Sequence, residues 1–355
     1  MSLEELRKKI DEADPKIVKL IAERIRISEE IGKEKKKLGK QVEDAEREKI
    51  VLEKVKSIAR EENMSEEDIE SVYQQIFAAC KDVQGMVVAF QGEIGAYSEE
   101  AAFRFFGTST QTKPCESLED VFKAVEEGEA QFGIVPIENS LEGSISRAYD
   151  LLLDSTLRVC GEAELRVSHC LIANPGARLD LIKKVYSHPQ ALGQCQAFLK
   201  HLDGELIPTY DTAGSVKMIK EKGITDGGAI ASERAAEIYG MKVIAKEIED
   251  NPNNFTRFFI LSKQDSPPSG NDKTSIVFSV RHRPGALFEF LRELAARKIN
   301  LTKIESRPTR QKPWEYNFYL DFEGHGEDKA PKEALEKLRD SSVFVKVLGS
   351  YPKAK

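Results

Sequence analysis

From residue 3 to residue 82 apolar side chains recur every three or four positions, with a single proline, Pro15, and few glycines. That spacing predicts an all-α segment. Leu6, Ile10, Ala13, Ile17, Leu20, Ile27 and Ile31 follow the alternating four-and-three step of a coiled-coil seam. From Met86 to about Gln264 the pattern changes to short β-branched runs alternating with helical stretches, the mark of an α/β domain. QDSPPSGND, at 264–272, is rich in Pro, Ser and Gly and reads as a linker. Beyond it, strand-like TSIVFSV, NLTKIESR, WEYNFYLDF and VFVKVLGSY alternate with helix-like GALFEFLRELAARK and APKEALEKLRD. Their βαββαβ order predicts an α+β, ferredoxin-like unit. The expected organisation is all-α over 1–85, α/β over 86–265, a linker at 266–272 and α+β over 273–355.

Composition narrows the function. With 40% hydrophobic and 32% charged residues the chain is of ordinary soluble type, and a net charge of −7 argues against a nucleic-acid surface. No apolar run approaches the roughly 20 residues that span a bilayer, so a cytoplasmic protein without membrane contact is expected. Cys80, Cys115, Cys160, Cys170 and Cys195 contain no CxxC pair, and the five histidines are scattered. Neither a metal site nor a disulfide framework is expected.

The helical seam carries charge. The position that should follow Leu20 is Arg24, and Lys35 lies eleven residues further on. At roughly 100° per residue the two cations point within about 20° of each other. One lysine on such a seam can snorkel from the edge of a bundle; two cations there point to an anion. A helix over about 3–38 is on the order of 50 Å long, more than the rest of the segment can cover, so a helical dimer is expected. After a break at Gly39, a second helix carries Arg47 and Glu48, and a third places Cys80 and Gln84 on one face. A closed cationic pocket with no activated nucleophile, acid/base dyad or metal suits a reaction driven by electrostatics and by holding one conformer, such as a pericyclic rearrangement.

LRKKIDEAD, AERI, GKEK, DAEREK and the Cys80–Gln84 pair resemble the all-helical chorismate mutase family over residues 1–84. The resemblance implies that Arg24, Lys35, Arg47 and Gln84 bind the carboxylates and ether oxygen of chorismate, that Glu48 holds its hydroxyl, and that Arg7 reaches the partner subunit's site. Arg7 lies about 100° from Arg24 around the helix, in agreement with service to a different pocket. Cys80 stands where the family often has Ser.

In the central segment a strand runs five times into a polar loop that opens a helix with a hydroxyl: Ser98, Ser140 with Ser144, Ser187, Thr212 with Ser215, and Ser232. Helix N-capping accounts for such residues. In an open α/β sheet the same loops gather at the carboxyl ends of the strands, where helix N-termini receive anions. Gly92 and Gly95 are spaced GxxG and no Walker loop is present, so nucleotide binding is disfavoured. VPIENSLEGSI, VYSHPQALGQC and NFTRF resemble prephenate dehydratase over nearly all of 86–262. That family implies two α/β lobes like those of periplasmic binding proteins, joined by crossover strands, with Glu138, Asn139, Ser187, Gln194 and Thr256 in the cleft and Thr256 the principal catalytic group. The reaction implied is loss of water and carbon dioxide from prephenate, without a cofactor. Arg257 would orient a carboxylate or form an ion pair, and strand alternation puts it on the face opposite Thr256. Glu93 and Ala96 depart from the Pro and Thr common in the family's first loop.

In the C-terminal segment Gly285 opens a helix after Pro284 and leaves amides free for a carboxylate. GALF (Gly285, Ala286, Leu287, Phe288) and ESRP (Glu305, Ser306, Arg307, Pro308) resemble the phenylalanine-binding motifs of the ACT domain. The resemblance implies an L-phenylalanine site at a dimer interface and feedback inhibition; a plain packing domain is the alternative. Two readings of the whole chain stand: a bifunctional chorismate mutase/prephenate dehydratase, homodimeric or homotetrameric, or a ligand-responsive regulator with the same three parts and no catalysis. Arg24 and Lys35 on the seam, with Thr256 in the cleft, favour the enzyme.

Overall fold

The computed structural model describes residues 3–37, 45–83, 86–108, 110–281, 283–309 and 314–354. They divide into an N-terminal helical unit and a second unit that reaches the C-terminus. In the first, α1 (Leu3–Lys37), α2 (Ala45–Glu61) and α3 (Glu66–Val83) meet around Val55, Ala59, Phe77 and Cys80. The expected seam lies open along α1: Leu20 is 66% exposed and Ile10 59%. Arg24 turns from that seam to α3, where its Nη1 donates to Cys80 Sγ at 2.7 Å and its guanidinium lies 5.1 Å from the centre of the Phe77 ring.

The central segment forms two lobes. The first holds β1 (Val87–Gln91), α4 (Tyr97–Phe106), β2 (Gln111–Cys115), α5 (Leu118–Glu126), β3 (Phe132–Asn139), β4 (Gly143–Ser144), α6 (Ser146–Asp154) and β5 (Arg158–Arg166). The chain then crosses to β6 (Cys170–Ala173), β7 (Lys184–Ser187), α7 (Pro189–Gly193), α8 (Gln196–Leu199), β8 (Glu205–Pro208), α9 (Thr212–Glu221), β9 (Gly227–Ala231), α10 (Glu233–Tyr239) and β10 (Lys242–Ala245). It returns to the first lobe as β11 (Phe255–Ser262). The first sheet has the order β2-β1-β3-β11-β5, with β4 beside β3, and the second β10-β6-β9-β7-β8. Val88, Phe90, Ile134, Phe259, Ile260 and Leu261 are fully buried, which is why these strands read as near-continuous apolar runs. The returning strand lies between β3 and β5, pairing Thr256 with Asn139 and Arg257 with Glu138.

The C-terminal segment has the expected βαββαβ order: β12 (Asp272–Ser279), α11 (Ala286–Ala296), β13 (Leu301–Pro308), β14 (Tyr316–Glu323), α12 (Lys329–Ser341) and β15 (Phe344–Pro352). Its sheet has the order β13-β14-β12-β15. The first of these strands begins within the expected linker, because the Asp272 carboxylate gathers the Ser269 and Gly270 amides and fixes the turn before it. One sheet face packs Ile276, Phe278, Leu320 and Phe322 against Phe290, Leu294 and Leu338 of the two helices. The other face docks on the first lobe. A Cβ at Gly349 would lie 2.0 Å from the Val159 carbonyl oxygen, so only glycine permits that approach. Tyr319 packs against Tyr149 with ring centres 4.7 Å apart and planes inclined at 60°. Lys346 donates to the carbonyls of Leu152, Leu153 and Ser155 and so closes the C-terminal end of α6.

Candidate active sites

The five hydroxyl-bearing loops behave unequally. Only Ser232 caps its helix, accepting from the Ala235 amide; α7 is capped by His188 and α9 by Asp211, while Ser98 lies inside the first turn of α4. Ser140 bridges to the returning strand, accepting from the Phe255 amide. Ser144 binds Glu305 and Lys303 of the C-terminal sheet. The cap reading therefore fails where the residue before or after the hydroxyl supplies a better acceptor.

Between the lobes lies a cleft of about 460 Å³, and Thr256, Asn139 and Gln194 line it. A chain of buried amides determines how they are oriented. The Asn139 Oδ1 accepts from the backbone amides of Leu141 (3.0 Å) and Glu142 (3.1 Å), so its Nδ2 must face the other way. That nitrogen donates to Thr256 Oγ1 at 3.1 Å and to Asn254 Oδ1 at 2.7 Å. Thr256 thus accepts one bond from the protein and keeps its own proton for the cleft. Asn254 Nδ2 donates to Gln194 Oε1 at 2.8 Å, and His169 Nε2 lies 3.0 Å from the same oxygen. Gln194 Nε2 is left buried and without a partner. Gln194 is only 9% exposed, and its unpartnered donor lies in the cleft wall.

Two expected cleft residues face elsewhere. Glu138 follows strand alternation to the opposite side from Asn139, where its carboxylate lies 2.8 Å from Lys303 Nζ. Ser187 is fully buried and donates to the Ile230 carbonyl at 2.6 Å. Arg257, as alternation predicts, leaves the strand on the side away from Thr256. Its Nε donates to Glu162 (2.8 Å), its Nη1 to Asp321 (2.6 Å) and its Nη2 to the Tyr351 hydroxyl (3.0 Å).

Sequence reasoning missed Asn254, His169, Tyr97 and Asp211. Tyr97 Oη lies between the Ser168 carbonyl (2.6 Å) and His169 Nδ1 (3.0 Å). Burial lowers the His169 pKa, against the Gln194 bond and the Glu249 charge. Burial likewise raises that of Asp211, against the Gly214 amide. Asn254 is the first residue of NFTRF and Asp211 precedes Thr212, so membership of the quoted motif and adjacency to an expected residue were the available signals.

One of the two first-loop departures makes contacts across the cleft. Glu93 crosses the cleft, taking the Tyr210 hydroxyl at 3.0 Å and Lys217 Nζ at 3.0 Å. No Lys or Arg is among the described cleft-lining residues, whereas Glu93, Glu116 and Asp211 are. An anionic ligand there meets hydroxyls, the Gln194 amide and the first turns of α4 and α9.

In the helical unit Arg24 is near Cys80, as described, and Arg7 is exposed. Arg47 is exposed and Glu48 half-buried; Lys35 is on α1, but its side chain and all of Gln84 lie outside the described residues. In the C-terminal unit Gly285 begins α11 at φ 78°, a value that favours glycine. Phe288 is 67% exposed, Leu287 half-buried, and Arg307 pairs with Asp150 at 3.1 Å.

Three family models match in order: chorismate mutase type II over residues 6–85, prephenate dehydratase over 88–266 and the ACT domain over 274–340. A helical chorismate mutase domain, a two-lobed α/β dehydratase domain and an ACT domain in one chain define a multidomain enzyme class. The chain belongs to the bifunctional chorismate mutase/prephenate dehydratase family. A member from Aquifex aeolicus is 39% identical over 99% of this chain and 98% of its own. Prephenate dehydratase from Arthrobacter aurescens, solved in complex with L-Phe, is 33% identical over 75% of this chain and 90% of that one, with a TM-score of 0.70. A solved quorum-quenching acylase, GqqA, is 34% identical over 75% of this chain and 98% of that one, with a TM-score of 0.69.

Proposed function

We propose that this protein rearranges chorismate to prephenate in its helical domain and converts prephenate to phenylpyruvate in the interlobe cleft, under feedback by L-phenylalanine. It acts in the cytoplasm as a homodimer or homotetramer, without a cofactor. In the helical domain Arg24, Lys35, Arg47 and Gln84 hold the substrate's carboxylates and ether oxygen, Cys80 hydrogen-bonds beside them, Glu48 holds the hydroxyl, and Arg7 serves the site of a second copy. The exposed seam of α1, apolar at Ile10, Ile17, Leu20 and Ile27, supports pairing with that copy.

The dehydratase reading rests on one observation: Asn139 is fixed by two backbone amides so that Thr256 accepts from it and has its own proton free for the cleft. In the reaction the ring carboxylate leaves as carbon dioxide, the electron pair of the broken C–C bond completes the aromatic ring, and the ring hydroxyl departs with its bonding pair. With one proton taken up, prephenate gives phenylpyruvate, carbon dioxide and water. Thr256 donates to the leaving oxygen as charge develops on it, and Gln194 Nε2 donates to a carboxylate. Glu138, Ser187 and Arg257 act from outside the cleft, through the strands that carry Asn139 and Thr256 and the loop that carries His188.

Phenylalanine binds between GALF (285–288) and ESRP (305–308). The contacts of Glu305 and Lys303 with Ser144 and Glu138 give it a route to β3. The test follows chorismate loss and phenylpyruvate formation together, with and without phenylalanine. Thr256→Ala abolishes dehydration and leaves the mutase rate, and Arg24→Ala does the reverse. A well-folded parent that turns over neither substrate leaves the regulator reading in its place.

A further inference from the structure

We infer that Asn254 is a positioning residue for dehydration, one that sets the direction of the amides on either side of it so that Thr256 and Gln194 both turn donors into the cleft. This rests on the dehydratase reading above. Asn254 is fully buried on the segment that returns from the second lobe, directly before β11. It joins Asn139 of the first lobe to Gln194 of the second through both ends of its amide.

The ends of an amide are not interchangeable, since one only accepts and the other only donates. Asn139 arrives as a donor because Leu141 and Glu142 occupy its oxygen. Asn254 must therefore accept with Oδ1 and give Nδ2 to Gln194 Oε1. His169 Nε2, pointing at the same Gln194 oxygen, must carry a proton. Both neighbours thus occupy the Gln194 oxygen and leave Nε2, buried in the wall of the cleft, unpartnered. Each lobe supplies one donor, and Asn254 sets the polarity of both. The titratable groups around the chain are His169 and Tyr97 within it, Glu249, which takes the His169 amide and Arg166, and Asp250, whose amide donates to the Gln194 carbonyl.

Asn254→Asp is the discriminating change, because it keeps the shape and removes the donor. The new carboxylate still accepts from Asn139 but asks Gln194 for a proton as well, which turns Gln194 Oε1 toward the substrate. In the full-length chain, kcat for phenylpyruvate formation should fall roughly 10²-fold near neutral pH, as for loss of one preorganised donor. KM should change far less, and kcat should recover in part as pH falls and the new carboxyl takes up a proton. A loss through packing alone has no reason to recover on acidification. Parental kcat in this variant, or a loss with the parent's own pH profile, overturns the proposal. Asn254→Ser covers the case in which the carboxylate variant does not fold: kcat falls with no acid recovery, and parental kcat overturns the proposal. A parent with no dehydratase turnover overturns the dehydratase reading itself, whereas an active parent with an unimpaired variant overturns this inference alone.

Discussion

Arg257 and Glu138 face each other across β11 and β3, one residue along from the Thr256–Asn139 pair. Alternation sends the second pair into the cleft and the first toward the ACT sheet, where Asp321 and Tyr351 hold Arg257 and Lys303 holds Glu138. The two strands that carry the proposed proton donor and its orienting amide are thus gripped from behind by the regulatory domain. A residue beside the proposed donor serves the fold, and through the fold the site.

Arg257 is the cation on which this back face closes. Its side chain is 11% exposed beside Glu162 (1%) and Asp321 (5%). Burial lowers its pKa, but Asp321, Tyr351 and Glu162 outweigh that and hold it above the ordinary value. Arg257→Met should cost about 3–5 kcal/mol, the penalty for leaving buried carboxylates without their partner. Lys273, 2.8 Å from Glu162, and the Ser275 hydroxyl on Asp321 offset part of it. Urea unfolding of the parent and Arg257→Met measures the difference; a change below about 1 kcal/mol, the range of exposed pairs, would show that the network is not a structural centre.

Lys303 is shared among Glu138 Oε1 (2.8 Å), Ser144 Oγ (2.8 Å) and Glu305 Oε2 (3.4 Å). Glu305 opens the ESRP motif, so a ligand that engages it changes what Lys303 balances. Lys303→Met should raise the phenylalanine concentration for half-inhibition by roughly 5- to 100-fold, within the usual range of coupling energies. Uninhibited dehydratase activity should change less. Calorimetric binding of phenylalanine separates lost coupling from lost affinity; unchanged inhibition with intact binding excludes Lys303 from the route.

The periodicity of the chain revealed the helical, α/β and βαββαβ segments because each buries one face at its own spacing. Alternation also placed Arg257 opposite Thr256. Applied to Glu138 and Asn139, which are adjacent on one strand, the same rule allows only one of them into the cleft, and motif resemblance alone put both there. The roles of Lys303, Asp321 and Asn254 were not legible, since they depend on strand register and on how the ACT sheet docks. Gln194 is intermediate: VYSHPQALGQC pointed to it, but its burial depends on His169 and Asn254 from the two crossovers.

Glu93 bridges the lobes through Lys217 and Tyr210. The Lys217 side chain is 38% exposed, so solvent screens the pair and its worth is about 0.2–1 kcal/mol. Lys217→Met should therefore raise KM for prephenate only about two- to five-fold, and added salt should shrink the difference between the two proteins. A change of 50-fold or more, estimated at about 2.3 kcal/mol, would mean that Lys217 touches substrate and not only the latch.

His169 makes the dehydratase domain sensitive to acid. Burial lowers its folded pKa from the ordinary 6.5, and the Gln194 bond and Glu249 charge only partly oppose this. In the interval between the folded value and 6.5 the unfolded chain binds a proton that the native chain does not. Stability therefore rises with pH across that interval, is full above it, and is lost as pH falls below 6.5 toward the folded value. One such group contributes at most about 1.4 kcal/mol per pH unit to the slope. Protonating it also ends its role as a neutral link between Tyr97 and Gln194. His169→Gln keeps a donor for Gln194 and cannot titrate, so urea midpoints between pH 5 and 8 should depend less steeply on pH than in the parent. Parallel profiles for the two proteins would show that His169 is not the source of the acid sensitivity.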